Sequence, residues 1–281
     1  MSRGLKIMSI IQKVEAQYPD LSRQERKVAL RVMQAPEQVQ QMTISSLAKA
    51  VKVSNATVTR FVKKIGCRDF YSFKIALSQP AEPQAPIAAT TNQNTTADEV
   101  YDFYSKVLSG TQERLDMDKI TATAKAISSA RRVYLFGLGS SGYTANEMTQ
   151  RLLRMEIAAF CMTDTHIMFI TSSIITADDI VIAISLSGKT TDINESVAIA
   201  KEKGAKIIAI TAFENSKLAE ISDITVLVKN SSFIDNTRFI NSQFAITYAL
   251  DIITTVLLKN DDYRHNMDQT IEMITNRKLE K

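Results

Sequence analysis

The sequence predicts two domains, an all-α head and an α/β body with a parallel five-stranded sheet flanked by helices. Three observations lead there. Charge changes sign along the chain: residues 1–79 hold 14 Lys/Arg against 5 Asp/Glu, a net of +9, and residues 80–281 hold 20 against 25, a net of −5. The change falls at QPAEPQAPIAATTNQNTTA, residues 79–97, which holds three of the five prolines among mostly Ala, Thr, Asn and Gln. Such a stretch buries little and resists helix, so it reads as a linker. Finally, everything before it reads as helical, whereas after it short β-rich apolar runs alternate with helical stretches, as expected of a parallel sheet covered on both faces. The expected organisation is a head at 1–79, a linker and leading helix at 80–117, the body proper at 118–260 and a charged tail at 261–281.

In the head, Ser22 is placed to cap RQERKVALRVM, and Pro36 interrupts the pattern that follows. The stretch TISSLAKAVKVSNATVTRFVKKIG (43–66) is the most informative. ISSLAKA spaces Ile44, Leu47 and Ala48 as a helix does, VKV reads as a turn, and Ser54 is a good N-cap for a second helix. There Val58, Phe61, Val62 and Ile65 fall at i, i+3, i+4 and i+7, forming one buried stripe that Gly66 can end. The other face is expected to present Asn55, Thr57, Thr59, Arg60, Lys63 and Lys64. Two short helices, a tight turn and a basic second helix meet the needs of a helix-turn-helix. With Thr43, Ser54 and Ala56, these residues are the candidate DNA contacts: Asn and Arg near the helix start for base edges, the lysines for phosphates. A helical hairpin with a solvated basic face fits the spacing equally well, and the +9 balance favours DNA.

In the body, RRVYLFG (131–137), IAAFCM (157–162), DDIVIAIS (178–185), AKIIAIT (205–211) and DITVLV (223–228) are strand candidates. Gly204 is placed to end the helix before the fourth. A last helix from about residue 241 to 259 carries Phe244, Ile246, Tyr248, Ala249, Ile252, Ile253 and Val256, enough apolar surface to pack on the sheet or to face another subunit. Two strand ends carry phosphate-cradle chemistry. FGLGSSG brings Gly137, Gly139, Ser140, Ser141 and Gly142 before a helix, and ISLSGKTT brings Ser185, Ser187, Gly188, Lys189, Thr190 and Thr191. Glycines let backbone approach a ligand, and hydroxyls with helix N-terminal amides donate to an anion. Gly137-x-Gly139-x-x-Gly142 also matches a dinucleotide fingerprint, for which only Asp164 offers a ribose-binding acid. Ligands of open α/β sheets bind at this C-terminal strand edge, where two hydroxyl-rich turns can share one phosphate.

Residues 5–79 resemble the N-terminal domain of the RpiR family of bacterial transcription regulators, through TISSLAKAVKVSNATVTRFVKKIG…F…FK. Lys52 stands where that family usually has a turn glycine, so the turn is expected to survive with some strain. The GxGSS and SxSGxT pair, over roughly residues 118–260, resembles the SIS (sugar isomerase) domain, a phosphosugar-binding fold. The order of the two is the RpiR family plan. The resemblance implies Ser141, Ser187 and Thr190 as the leading phosphate ligands, with Ser140, Ser185 and Gly188 next and Lys189 beside them. Lys189 also replaces the Glu of the common SGET form, which removes an acid from a site where isomerisation needs a base. Glu147, Glu156 and Glu195 fit ordinary helix surfaces, and His166, in THIMFI, reads as a packed or capping residue.

The implied function is a sequence-specific DNA-binding transcription regulator of carbohydrate metabolism genes, with repression the expected direction and a phosphosugar as effector. The partners expected are an operator duplex, the phosphosugar, and a second copy or more of the chain. The alternative is a phosphosugar isomerase with a fused helical domain, and a third reading is a carbohydrate-binding protein without DNA contact. No cofactor or metal is expected: Cys67 and Cys161 lie far apart without metal spacing, and His166 and His265 are the only histidines. No apolar run reaches bilayer length and the N-terminus lacks signal-peptide features, so no membrane partner and a cytoplasmic location are expected.

Overall fold

The structure is a computed structural model, and it describes residues 9–78, 95–235 and 241–279. The chain divides into two compact units, Met1–Phe103 with Ser231–Phe239, and Tyr104–Asn230 with Ile240–Lys281. The residues read as a linker lie mostly outside the described ones.

The first unit holds α1 (Ile10–Gln17), α2 (Arg23–Gln34), α3 (Pro36–Gln41), α4 (Ile44–Ala50), α5 (Asn55–Lys64) and α6 (Phe70–Ser78). Local chemistry starts them. Ser9, Ser22 and Thr43 each close a capping box with the residue three on, Ser54 accepts from the Thr57 amide, and α3 begins on Pro36. One core holds them, with Val14, Val28, Val32, Leu47, Val58, Phe61, Val62 and Phe73 all at or near zero exposure.

Among the described residues four helices end in the same way, with a left-handed residue followed by an amide that reaches five residues back. Gly66 (φ 86°) precedes Cys67 N–H to Val62 O, and Gly204 (φ 88°) precedes Ala205 N–H to Ala200 O. Lys52 (φ 56°) precedes Val53 N–H to Ala48 O, and Glu156 (φ 60°) precedes Ile157 N–H to Leu152 O. This is the Schellman stop, which favours glycine because a Cβ crowds the backbone there. Lys52 does hold the strained turn between α4 and α5.

The second unit follows from α7 (Thr96–Gln112), which carries the chain across, and α8 (Met117–Ser129). All five expected strands form: β1 (Arg132–Gly137), β2 (Ala159–Met162), β3 (Asp179–Ile184), β4 (Lys206–Thr211) and β5 (Ile224–Leu227). They pair in parallel in the order β2-β1-β3-β4-β5. One face is covered by α8, α9 (Ser140–Arg154) and α13 (Phe244–Leu257). The other packs Tyr134, Phe136, Val181, Ala183, Ile207 and Ala209 under α10 (Thr165–Ile174), α11 (Thr191–Glu202) and α12 (Lys217–Ile221). The stretch read as a charged tail continues as α14 (Asp261–Leu279).

The β1–β3 pairing is locked at its N-terminal end. Asp179, fully buried, accepts from Arg131 Nε (3.1 Å) and Nη2 (2.9 Å) and from the Thr176 amide (3.0 Å) and hydroxyl (3.1 Å). Burial by itself would raise its pKa, but these bonds together outweigh burial and hold the carboxyl below the usual range.

If Lys52 stores backbone strain, Lys52→Gly relieves it. The expected gain is about 0.5–1 kcal/mol after glycine's larger unfolded-state entropy is subtracted, read by denaturant unfolding. Lys52→Ala, which keeps the Cβ, should be neutral. A loss of stability on Lys52→Gly contradicts the assignment.

Candidate functional site

The strand order reverses between β1 and β3: from β1 the chain turns outward to β2, and from β3 onward it builds the other side. Open α/β sheets leave a crevice at the C-terminal ends of the strands at this switch point. Gly137 and Ile184 are register partners there. Each is the last residue of its strand, so the two hydroxyl-rich turns start side by side.

After β1 the chain turns through Gly139 (φ 56°, ψ −128°), the N-cap of α9, with no side chain bonded to the helix start. A Cβ on Gly137 would come within 2.6 Å of Ser141 O, and one on Gly142 within 2.9 Å of Gly137 O. Gly137 and Gly142 therefore let the helix start sit against the strand end, which accounts for two glycines of the dinucleotide pattern without a dinucleotide. Asp164 is also engaged, capping α10 through the Ile167 amide at 3.0 Å.

After β3 the loop is fixed from below. Ser185 N–H donates to Ile210 O, Ala212 N–H to Leu186 O and Leu218 N–H to Gly188 O. Gly188 has φ 61°, and a Cβ there would lie 2.2 Å from Ser216 Oγ and 3.0 Å from Thr211 Oγ1, both buried hydroxyls. Ser185, buried, accepts from the Gly188 amide (3.2 Å) and bonds the Thr190 hydroxyl (3.1 Å). Asn194 Nδ2 donates to Gly188 O at 3.3 Å. Thr190 is the N-cap of α11 and, like Gly139, makes no side-chain bond to the helix start. Helix starts left without a side-chain cap suit an anion.

The predicted ligand residues thus separate by role. Ser140, Ser187 and Lys189 are exposed, and Thr190 is half-buried. Ser185 and Gly188 are buried builders of the loop. Ser141 is also buried, its hydroxyl donating to Gln243 Oε1 at 3.3 Å, and Thr144 Oγ1 stands 3.5 Å from the same oxygen. Gln243 is the N-cap of α13, again without a side-chain bond to the helix start. Gln243, Thr144, Thr211, Ser216 and Asn194 were not singled out from the sequence. Thr144 had a usable signal, standing one turn past Ser140, whereas Gln243 is 102 residues from Ser141. His166 is exposed in the first turn of α10, whose cap is Asp164, which corrects its reading as a packed or capping residue. Glu147, Glu156 and Glu195 are exposed, Glu147 pairing with Arg151.

In the first unit Ser54, Asn55, Ala56, Thr59, Arg60 and Lys63 are exposed on one side of α5, and Thr43 is exposed as the cap of α4. Asn55 Nδ2 donates to Ser45 Oγ (3.1 Å), tying α5 to α4. Two expectations change. Thr57 is buried at 5% exposure, bonded to Ser54 Oγ (3.0 Å) and accepting from Arg60 Nη2 (3.3 Å). It stands four residues before Phe61, on the shoulder of the apolar stripe, and so orients its neighbours from inside. Lys64 is exposed but bound: its ammonium donates to Glu25 Oε2 at 2.8 Å. Glu25 is buried and also accepts from the Ser22 amide. Burial raises its pKa, and the Lys64 and Ser22 bonds outweigh that and leave it lowered.

An exposed polar face on the second helix of a tight-turned pair, ahead of a sheet with uncapped helix starts at its switch point, defines a two-domain class: a DNA-reading head with an anion-binding body. Comparison with known proteins makes this specific. Residues 8–84 match the helix-turn-helix domain of the rpiR family and residues 126–255 match the SIS domain. The chain thus carries the helix-turn-helix domain of the rpiR family followed by a SIS domain. An uncharacterised HTH-type transcriptional regulator of Haemophilus influenzae is 27% identical over 90% of this chain and 91% of its own. The HTH-type transcriptional regulator HexR of Pseudomonas aeruginosa is 27% identical over 88% of each chain. Among solved structures, the Vibrio vulnificus NanR protein complexed with ManNAc-6P shares the fold, with a TM-score of 0.60 at 20% identity over 95% of this chain and 98% of its own.

Gly188→Ala should be the more damaging of two matched substitutions. It meets both a closed space and a left-handed backbone, so the expected loss is about 2–4 kcal/mol. Gly139→Ala, whose Cβ meets nothing within 4 Å, should cost about 1–3 kcal/mol from the backbone alone, since φ 56° with ψ −128° is a region that essentially only glycine adopts. Thermal unfolding of the two variants decides; equal losses contradict the packing described for Gly188.

Proposed function

We propose that the chain is a sequence-specific transcription regulator of carbohydrate metabolism genes that reads an operator with α5 and responds to a phosphosugar held at the β1–β3 switch point. One observation carries the reading: two uncapped, hydroxyl-bearing helix starts grow from register-paired strand ends, in a chain that also carries a helix-turn-helix. The chain is not an enzyme; relatives matched over nearly their whole length are named transcriptional regulators. Among the described residues no helix is long and apolar enough to cross a membrane, and no group of His, Cys, Asp and Glu is placed to hold a metal.

Within this reading Ser141, Ser187 and Thr190 donate to the phosphate, assisted by Ser140 and by the amides at the starts of α9 and α11. Ser185 and Gly188 shape the loop, and Lys189 supplies a cation at its exposed rim. The unpaired sugar hydroxyls face Gln243 and Thr144. In the head, Asn55 and Arg60 read base edges. Thr43, Ser54, Ala56, Thr59 and Lys63 line the backbone-facing surface, and Thr57 holds Arg60 in place. Lys64 is assigned chiefly to the Glu25 bond. The chain works as a homodimer, two heads meeting two half-sites about one DNA turn (~34 Å) apart. We place it in the cytoplasm and take repression as its direction. The NanR complex with ManNAc-6P supports a hexosamine- or hexose-phosphate class of effector.

Two experiments test the halves separately. Arg60→Ala should weaken specific operator binding by about 1–3 kcal/mol, whereas Lys63→Ala should weaken all sequences alike and lower the salt slope by about one. An unchanged operator affinity for Arg60→Ala in gel-shift titration rejects α5 as the reading helix. Ser187→Ala and Thr190→Val should each lose about 1.5–3 kcal/mol of sugar-phosphate affinity, the scale of a hydrogen bond to a charged group, with DNA binding retained. Unaltered effector response in both variants rejects the cradle.

A further inference from the structure

The β2 edge of the body is flanked by two helices that each carry an uncharged, exposed stripe. In α10, Met168, Thr171, Ser172 and Ile175 fall at i, i+3, i+4 and i+7 and are buried against the sheet and α11. About a third of a turn round from them, Ile167, Ile170 and Ile174 are exposed. Right-handed crossovers from β2 to β3 and from β3 to β4 place α11 inward of α10, so this second stripe looks outward past β2. Phe160 of β2 stacks on Tyr134 at a centroid distance of 5.6 Å and is exposed at the same edge. On the other face of the sheet, Tyr143, Asn146, Gln150 and Leu153 of α9 fall at i, i+3, i+7 and i+10 and are all exposed. Arg151, next to Gln150, reaches Asp251 on α13, so that stripe lies on the opposite flank of α9, beside β2.

A helix that is apolar most of the way round is a buried helix, and among the described residues β2 has a neighbouring strand on one side only. Tyr143, Leu153, Phe160, Ile167, Ile170 and Ile174, from 43% exposed at Phe160 to 82% at Tyr143, present on the order of 500 Å² of apolar surface. A stable pair of proteins buries about 800 Å² on each partner, a little over half of it apolar, so this one flank meets the requirement. Its chemistry narrows what covers it. α10 holds no Asp, Glu, Lys or Arg, and Asn146 and Gln150 bond each other at 2.9 Å, so an acidic or basic partner finds no charge to pair with. α10 is instead complementary to itself. In an antiparallel pair about a two-fold axis between Ile170 and Thr171, Ile167 of each copy meets Ile174 of the other. We propose that this flank is the homodimer interface: α10 packs on α10 of a second copy, with Phe160, Tyr143 and Leu153 around that contact. Such an isologous contact is closed, and it covers an edge strand that would otherwise stay open to further pairing. The proposal rests on the homodimer of the reading above and gives it a face.

The experiment is sedimentation velocity of the full chain over a concentration series, without ligand or DNA. The wild-type chain should sediment as a dimer. Ile170→Asp and Ile170→Lys each set like charges across the two-fold axis, and each should raise the dissociation constant at least about a hundredfold. Circular dichroism of both variants should match the wild type, because Ile170 is exposed in a single copy. An equimolar mixture of the two should regain the dimer, since Asp and Lys then face each other across the axis. Only a contact of the chain with its own copy through this face makes that recovery possible. A monomeric wild-type chain, an Ile170→Asp chain as dimeric as the wild type, or a mixture that stays monomeric overturns the proposal. So does an open series of oligomers growing with concentration, the mark of a head-to-tail contact or of association with a different surface. Failure of sugar-phosphate or operator binding in a chain that dimerises through Ile170 would instead strike the functional reading and leave the interface standing.

Discussion

The parallel register of β1 on β3 is the constraint on which the rest depends. It is pinned at one end by the buried Asp179 carboxylate, which takes both Arg131 and Thr176, and it sets Gly137 opposite Ile184 at the other. A slip of one residue would turn each strand's side chains to the opposite face and separate the two turns in depth. With the register kept, GLGSS and SLSGKT open on the same edge, and the fold has no other place to put them. The head is organised around a comparable buried charge. Glu25 caps its own helix through Ser22 and receives Lys64 from α5, so the orientation of α5 and the start of α2 are set by one carboxylate.

The sequence was informative where the deciding physics is local. Ser22, Ser54, Gly66 and Gly204 act within a few residues of themselves, and each cap or stop stands where its residue type requires. The stripe Val58, Phe61, Val62 and Ile65 is buried because helical periodicity alone puts it on one side. Five apolar runs became five strands because buried parallel strands read as near-continuous apolar segments. Even Lys52, a departure from the usual glycine, was readable as strain at a known position.

What escaped it is long-range. Lys64 looks like any lysine of a basic face until Glu25, 39 residues earlier, is placed beneath it. Gln243 carries no motif; it matters because the fold brings the start of α13 to Ser141. Phe233 is one aromatic in a run after the last strand, and nothing in its neighbours says that it closes the helical unit against Tyr18. Thr57 was misassigned for a smaller reason, since a polar residue on the shoulder of an apolar stripe can face either way and only the packing decides. The bonds that support the two hydroxyl-rich turns come from contacts between distant segments, which sequence patterns do not show.

The central claim is that the switch point binds an anion first and a sugar second, because the donors there are hydroxyls and helix-start amides. Isothermal calorimetry of the full chain against hexose and hexosamine 6-phosphates, each paired with the same sugar lacking the phosphate, tests it most directly. The account predicts that a phosphorylated member binds and that its unphosphorylated partner binds far more weakly, by more than the ~1.5–3 kcal/mol of a single charged hydrogen bond. Equal affinity for the two would contradict it.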